Sequence, residues 1–354
     1  MAKRAAIILS GGRSKRFQNA RETWQDKALV ELFGKPLLIH AIKNVQEVVD
    51  EVVICVNNEK RKAQYSDVLT KHGLRNSKLL VDEQRNQLGG PIMGILTGLK
   101  AIQADHCFTL PSDMPLLQPR VIEHMFDQLK DSHVVVPMWP NGRLETLTMV
   151  LEKPEALEIA KTLCHLKRPR SDDIIRGALN IFFVSIVSEI SAFDPPLKSF
   201  TNINSQSDLA SLQPRQAQGT FTKSLRLNLG ELSMTKLRLL QDASTLFNES
   251  NLFEASKVFS SCANQLEKEG SHFWAAISRE NEGKSLLKWS KEQNEAELAK
   301  EQLFNSKKAF LKAIDNYESE SKIYENFHVI FLAERTKSNE NWCEALLEEQ
   351  LRLK

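Results

Sequence analysis

The chain has 354 residues, of which 42% are hydrophobic and 26% charged, and its formal net charge is +2 at pH 7. This length predicts two or three domains. The near-neutral charge gives no reason to expect a nucleic acid partner, and no apolar run is long enough to predict a membrane span. Five cysteines without CxxC pairs argue against a disulfide framework or a thiolate zinc site, and favour a reducing cytoplasm.

Short β-branched runs alternate with amphipathic helical stretches in the first part of the chain. The predicted strands are 6–9, 52–56, 78–81, 107–110, 134–136, 147–151 and 181–184. The predicted helices are 36–42, 59–71, 91–102, 119–130 and 155–166. Near-continuous apolar strands separated by helices predict an α/β fold with a mostly parallel sheet. In such sheets ligands bind beyond the carboxyl ends of the strands, so candidate residues are sought there.

The distribution of proline divides the chain into two kinds of structure, because all twelve prolines lie at or before Pro214. We predict an α/β domain at 1–213, a polar linker at 214–230 and an all-helical domain at 231–354. One predicted helical hairpin has a tetratricopeptide-like pattern of small and apolar positions. These positions are Leu239, Ala243, Leu246, Ala255, Phe259 and Cys262. Regular repetition fails beyond this hairpin, so a tetratricopeptide-like array and a plain helical bundle both stay open.

The first predicted strand runs directly into Gly11-Gly12. Glycines allow backbone N–H groups to approach phosphate oxygens, and the cationic side chains of Arg16 and Lys27 could neutralise phosphate charge. A Gly-Gly pair also serves tight turns in which no ligand takes part. The pair alone therefore leaves two interpretations, a phosphate loop and a structural turn.

Three later segments also follow predicted strands or enter helices. Asp113 lies between two prolines after the strand at 107–110, where its carboxylate suits Mg²⁺ or simply caps a turn. Gly90-Pro91 opens a helix and permits either close approach of a flat ring or a tight turn. Asn204-Ser205 precedes a short helix, where either side chain could be an N-cap.

Taken in order, these segments resemble the molybdenum cofactor guanylyltransferases, a family with a MobA-like NTP transferase domain and the signature LxGGxSxR…DK. The resemblance covers roughly residues 5–212, and the helical region is an addition to it. The matching signature residues are Leu9, Gly11, Gly12, Ser14, Arg16, Asp26 and Lys27. The resemblance implies a Rossmann-like nucleotidyltransferase domain. Its implied binding residues are Leu9, Ser10, Gly11, Gly12, Ser14, Lys27, Asn57, Asp82, Gly90, Pro91 and Asp113.

The activity that the resemblance implies is transfer of GMP from GTP to a phosphorylated acceptor, molybdopterin, with release of pyrophosphate. It implies catalytic roles for Arg16, Lys27 and Asp113, and Mg²⁺ held by Asp113 and Asn204. One departure from the family pattern is the insertion at 17–25, which either bulges outward or reshapes the acceptor pocket.

Two other readings stay open at this point. The first is a nucleotidyltransferase with a CTP or sugar-phosphate type of substrate, because guanine is implied by resemblance alone. The second is a nucleotide-binding adaptor whose helical tail binds a protein partner. In either case the tail could dock a partner, self-associate or pack on the first domain.

Overall fold

A computed structural model describes residues 3–12, 25–83, 89–213 and 218–352 of the chain. These residues form two compact units. The first lies within 1–160 and 168–227, and the second within 161–167 and 228–354. Among the described residues, no helix is both long enough and apolar enough to cross a membrane.

The first unit is built on a large β-sheet. The strands described before the long helices are β1 Arg4–Ser10, β2 Glu31–Leu32, β3 Lys35–Pro36, β4 Glu51–Val56, β5 Lys78–Val81, β6 His106–Pro111, β7 Val134–Met138, β8 Met149–Glu152, β9 Asn180–Ser185 and β10 Leu225–Asn228. The helices between them are α1 Leu37–Gln46, α2 Glu59–Lys71, α3 Pro91–Ala101, α4 Pro119–Asp127, α5 Lys153–His165, α6 Asp172–Gly177 and α7 Gln206–Ser211.

The eight-stranded sheet has the order β10-β9-β7-β8-β6-β1-β4-β5. Strands β5, β4, β1 and β6 are mutually parallel, whereas β8 runs antiparallel to both of its neighbours. From β1 the chain moves to β4 and β5 on one side and later returns to β6 on the other. The switch point of the sheet, where such folds bind ligands, therefore lies between β1 and β6.

The register of these four strands brings their carboxyl ends to one edge of the sheet. Ser10 is paired with Val56, Val56 with Val81, and Leu9 with Pro111. Whatever follows each strand must consequently lie at the same edge. The strands themselves are held in place by burial, because β1, β4 and β6 are almost wholly apolar and inaccessible to solvent.

The predicted α/β fold with a mostly parallel sheet is confirmed, and every strand predicted from the sequence is present. Two details differ. The helix predicted at 119–130 is α4 followed by a separate 3₁₀ turn, Gln128–Asp131. The strand predicted to begin at Leu147 begins at Met149, because a turn in which Thr148 N–H donates to the Glu145 carbonyl precedes it.

The segment 214–230, predicted as an irregular linker, contains a strand. Residues of β10 extend the sheet beside β9. Leu227 is buried on one side of this short strand, while the Arg226 guanidinium lies over the Phe182 ring at 4.7 Å. Four residues with only two leucines carry too little hydrophobic pattern to predict a strand. Pairing with β9 stabilises the extended conformation that the local sequence alone does not specify.

The second unit contains the long helices α8 Met234–Asn248, α9 Leu252–Lys268, α10 His272–Glu292, α11 Ala296–Asn326 and α12 Ile330–Arg352. The prediction of an all-helical region is confirmed, with breaks between helices at 249–251 and 269–271. Among the tetratricopeptide-like positions, Ala243, Ala255, Phe259 and Cys262 are buried, whereas Leu239 is 37% exposed. The buried face of α8 includes Leu237, Leu240 and Ala243.

Candidate functional site

A cavity of about 740 Å³ lies at the carboxyl ends of the four parallel strands. It is lined by ten of the residues predicted as binding residues, namely Leu9, Ser10, Gly11, Gly12, Lys27, Asn57, Asp82, Gly90, Pro91 and Asp113. The predicted residues Ser14 and Arg16 lie outside the described residues, as does most of the insertion at 17–25. The parallel register explains the convergence, since each lining segment follows the end of a strand or enters the next helix.

Gly11 and Gly12 continue β1 into the cavity. Neither has a positive φ, so backbone strain does not require glycine at either position. A Cβ added at Gly11 would meet Asn57 and Asp82 only at ordinary contact distance, and no described atom lies within 4 Å of one added at Gly12. The described packing thus leaves free space beside the backbone of both glycines. A ligand could approach the backbone closely in this space.

Lys27 joins two predicted residues that are distant in the chain. Its ammonium group is ion-paired with the Asp113 carboxylate and donates to the Asn204 side-chain oxygen at 2.9 Å. Lys27 begins a 3₁₀ turn that Asp26 caps by accepting from the Ala28 N–H. A cation, a carboxylate and an amide oxygen therefore meet at the switch point of the sheet.

The loop that carries Asn204 is fixed by backbone hydrogen bonds. The Ile203 N–H donates to the Asp113 carbonyl at 3.0 Å, and the Asn204 N–H donates to the Asp208 carboxylate at 2.8 Å. Ser205 is the N-cap of α7, because its side chain accepts from the Asp208 N–H. The capping role left open between Asn204 and Ser205 belongs to Ser205, and the Asn204 side chain faces Lys27 instead.

The residues around Asp113 are suited to a hard divalent cation. One carboxylate oxygen of Asp113, Oδ1, is buried and has no hydrogen-bond partner among the described residues, and the Asn204 amide oxygen accepts from the Lys27 ammonium group that pairs with Asp113. Among the described residues, no three His, Cys, Asp or Glu side chains form a metal-binding cluster. Mg²⁺ does not need such a cluster, since it takes one or two carboxylates and completes its shell with water and substrate phosphates.

Gly90 is required by the protein's own packing. Its φ is +99°, and a Cβ there would lie 2.4 Å from the Pro169 carbonyl oxygen. Any other residue would clash with the segment at 169 and adopt a strained backbone. Of the two interpretations of Gly90-Pro91, the tight helix entry is what the structure shows, and the pair still lines the cavity.

Asp82 lies at the end of β5, where its N–H donates to the Val56 carbonyl at 2.8 Å. Burial of the carboxyl group raises its pKa from the usual 3.8 to about 6, although a hydrogen bond from Thr97 acts in the opposite direction. Burial also raises the pKa of the adjacent Cys55 thiol, and the Asp82 charge adds to that effect. Asp82 is therefore a carboxylate poised to change charge just below neutral pH.

The raised pKa of Asp82 predicts a pH dependence of stability. The folded protein holds this proton more tightly than the unfolded chain, so its contribution to the free energy of unfolding is full below about pH 4 and is lost as pH rises through about 6. Asp82→Asn should remove the dependence. We expect the difference in unfolding free energy, Asp82→Asn minus the unmodified protein, to rise between pH 4 and 6 in denaturant titrations. A difference that is constant over this range would contradict the prediction, and Asp67→Asn on α2 is the control.

A buried polar network beneath the cavity was not anticipated from the sequence. The guanidinium of Arg61 is ion-paired with Asp26, with Nε and Oδ2 2.7 Å apart. The Tyr65 hydroxyl lies 3.2 Å from the same carboxylate and 2.6 Å from the Ser10 hydroxyl, which in turn lies 2.9 Å from the Ser112 hydroxyl. The network thus connects β1, the turn before Lys27, α2 and the segment that carries Asp113.

One signal in the sequence could have revealed this network. Arg61, Tyr65 and Leu69 are spaced four residues apart on the helix predicted at 59–71, and all three are buried. An arginine on the apolar face of a predicted helix must find hydrogen-bond acceptors inside the protein. The loop carbonyls and Asp26 are those acceptors here.

Comparison with known proteins identifies the family. The MobA-like NTP transferase domain matches residues 6–178. The probable molybdenum cofactor guanylyltransferase of Methanosarcina mazei is 31% identical over 59% of this chain and 89% of its own length. The molybdenum cofactor guanylyltransferase of Shewanella sediminis is 26% identical over 56% of this chain and 90% of its own length.

Among solved structures, molybdopterin-guanine dinucleotide biosynthesis protein A from Archaeoglobus fulgidus aligns with 59% of this chain and 96% of its own, at 21% identity and a TM-score of 0.48. The match to the family model begins within the first strand and takes in the segments that line the cavity. By the family model and by relatives more than 30% identical over most of their length, the chain belongs to the MobA-like NTP transferase family and is a nucleotidyltransferase.

Proposed function

We propose that this enzyme transfers GMP from GTP to a phosphorylated acceptor, molybdopterin, and releases pyrophosphate. The observation that carries the proposal is the meeting of Lys27, Asp113 and Asn204 at the switch point of the sheet, beside Gly11-Gly12. The names of the relatives, which are molybdenum cofactor guanylyltransferases, support this choice of nucleotide and acceptor.

In the proposed reaction a phosphate oxygen of the acceptor attacks the α-phosphorus of the nucleotide. A new P–O bond forms as the bond between the α-phosphorus and the bridging oxygen breaks, and that oxygen leaves with pyrophosphate. No protein nucleophile is required, so the protein contributes positioning and charge neutralisation. Lys27 and Arg16 neutralise the charge that develops on pyrophosphate, and backbone N–H groups of the glycine pair bind phosphate oxygens.

Asp113 and Asn204 would hold Mg²⁺, with the buried Oδ1 atom of Asp113 as the carboxylate ligand. When bound, the cation would neutralise phosphate oxygens and help to align them. The contact of the Lys27 ammonium group with both Asp113 and Asn204 supports a role for this lysine at the same phosphates.

Recognition of guanine is assigned to the part of the cavity lined by Asp82, Gly90 and Pro91. An ionised carboxylate only accepts hydrogen bonds, whereas guanine presents two neighbouring donors, N1–H and N2–H. Cytosine presents one donor beside an acceptor on the corresponding edge, so it pairs less well with a carboxylate. Since the pKa of Asp82 is about 6, its ionised form is available at neutral pH.

Pyrophosphate release by the full chain tests the proposal. The protein is incubated with MgCl₂, molybdopterin and each of the four nucleoside triphosphates in turn, with omission of molybdopterin as the control. We expect release with GTP that is at least about tenfold faster than with CTP, which corresponds to roughly 1.4 kcal/mol of discrimination. A sugar phosphate is tested in place of molybdopterin as a second acceptor. Release with CTP but not GTP, or with the sugar phosphate but not molybdopterin, would contradict the choice of substrates. Absence of release with any pair would contradict the proposed reaction.

A role for the helical region in docking a protein partner or a second copy stays a prediction. Several large apolar side chains on its helices are exposed, among them Phe304, Leu311 and Trp342. Exposure alone does not select between a partner and a second copy, so the proposed reaction does not depend on either.

A further inference from the structure

Three consecutive carbonyl groups at the end of β1 are held by two side chains. The Arg61 guanidinium donates to the Ser10 carbonyl at 2.9 Å and to the Gly12 carbonyl at 3.1 Å. The intervening Gly11 carbonyl accepts from Asn57 at 3.2 Å. Arg61 also donates to the side-chain oxygen of Asn57 at 3.0 Å, which fixes the orientation of that amide. Arg61 therefore holds all three carbonyls, two directly and one through Asn57.

The direction of these carbonyls determines where the loop's N–H groups point. In a planar trans peptide the C=O and N–H bonds point in opposite directions. Carbonyls of Ser10 and Gly11 that face Arg61 and Asn57 thus turn the N–H groups of Gly11 and Gly12 away from them. Both glycines line the cavity, and successive N–H groups on one side of a loop form an anion-binding concavity.

The ion pair with Asp26 fixes the guanidinium itself. Arg61 is 5% exposed and Asp26 is 6% exposed, and their side chains meet at 2.7 Å. Asp26 also caps the turn that begins at Lys27. The same arginine is therefore linked both to the glycine pair and to the turn that presents the lysine.

We propose that Arg61 is a positioning residue, which orients the backbone N–H groups of Gly11 and Gly12 toward the triphosphate and couples that loop to Lys27 through Asp26. The proposal rests on the proposed function in that it requires a triphosphate at this loop. Arginine is needed because its planar group directs up to five donors along fixed lines. Lysine would preserve the charge and lose this geometry.

The test compares three ligands. Pyrophosphate probes the phosphate loop, guanosine probes the rest of the cavity, and GTP probes both. Their dissociation constants are measured by calorimetry for the unmodified chain, Arg61→Lys and Lys62→Met, the last replacing a partly exposed cation on the same helix. We expect Arg61→Lys to weaken binding of GTP and pyrophosphate by about 10- to 100-fold, with guanosine unchanged within about twofold. Lys62→Met should change none of the three.

A purely structural role for Arg61 would weaken guanosine and pyrophosphate alike, and that result would overturn the proposal. So would GTP and pyrophosphate binding that Arg61→Lys leaves unchanged. If the unmodified chain binds neither GTP nor pyrophosphate, the proposed function and the role of Arg61 are both overturned. Binding by the unmodified chain with no effect of Arg61→Lys overturns the role of Arg61 alone.

Chemical rescue provides a second measurement in case Arg61→Lys unfolds. In Arg61→Ala, ethylguanidinium should restore pyrophosphate binding to within about tenfold of the unmodified protein, because it supplies the planar donor group. Ethylammonium at the same concentration should not. Equal rescue by both cations, or none by either in a variant that still binds guanosine, would show that directed donation to the loop is not the role of Arg61.

Discussion

Replacing Asp113 with alanine should reduce pyrophosphate release by about 1,000-fold, the upper part of the range seen when one charge-stabilising group is removed from an active site. The buried Oδ1 atom, which has no hydrogen-bond partner in the described part of the chain, would be lost together with the ion-pair partner of Lys27. In the proposed reaction this carboxylate would hold Mg²⁺, and negative charge on the leaving pyrophosphate is greatest in the transition state. The substitution should therefore lower kcat more than it changes the KM for GTP.

Steady-state pyrophosphate release over a range of MgCl₂ concentrations measures this effect. The matched control is Asp105→Asn, which removes an exposed carboxylate at the opposite end of the same strand. It should leave kcat unchanged. If Asp113→Ala retained more than about a tenth of the activity at saturating MgCl₂, neither metal binding nor catalysis could be assigned to this residue.

Replacing Lys27 with glutamine should reduce kcat by about 100-fold, with a smaller change in the KM for GTP. Its ammonium group is placed between Asp113 and Asn204 by the turn that Asp26 caps. A cation in this position stabilises the charge that grows as pyrophosphate departs, which is greater in the transition state than in bound GTP. Lys35→Gln, an exposed cation on strand β3, is the control and should change neither constant.

The double variant Lys27→Gln/Asp113→Ala provides a sharper result. Because the two side chains are in direct contact and, in the proposed reaction, act on the same phosphates, their effects should not add. We expect the double variant to lose about as much activity as Asp113→Ala alone. Multiplicative losses would show that the two residues act independently, which would contradict a shared site.

The position of Asp113 could be predicted from the sequence because it follows a recognisable apolar strand, whereas Asn57 and Asp82 came from the family resemblance although each also follows a strand. Parallel strands place their carboxyl ends at one edge of the sheet, so such residues converge whatever separates them along the chain. Lys27 and Asn204 are different, since 177 positions separate them and neither ends a strand of the sheet. Their pairing as site residues came from the family resemblance, and local pattern alone gives no reason for it.

Other features depended on tertiary contacts that no local pattern encodes. Two of the acceptors of Arg61 are backbone carbonyls at the end of a distant strand, and every residue type has a backbone carbonyl. Gly90 must be glycine in part because Pro169 packs against it and leaves no room for a Cβ atom. Residue identity does not decide which of Leu239 and Leu240 is buried, because both are leucine, and tertiary packing buries Leu240.

The position of strand β10 determines where the chain can be truncated to isolate the α/β unit without exposing a strand of its sheet. It covers the outer side of β9, whose other side is paired with β7. An uncovered strand presents a row of unpaired backbone groups to which a second molecule can add. A truncation at residue 213, where the α/β domain was predicted to end, would create such an edge. Retaining the chain through Asn228 keeps the short strand β10 over β9 and lowers the tendency of the isolated unit to aggregate edge to edge.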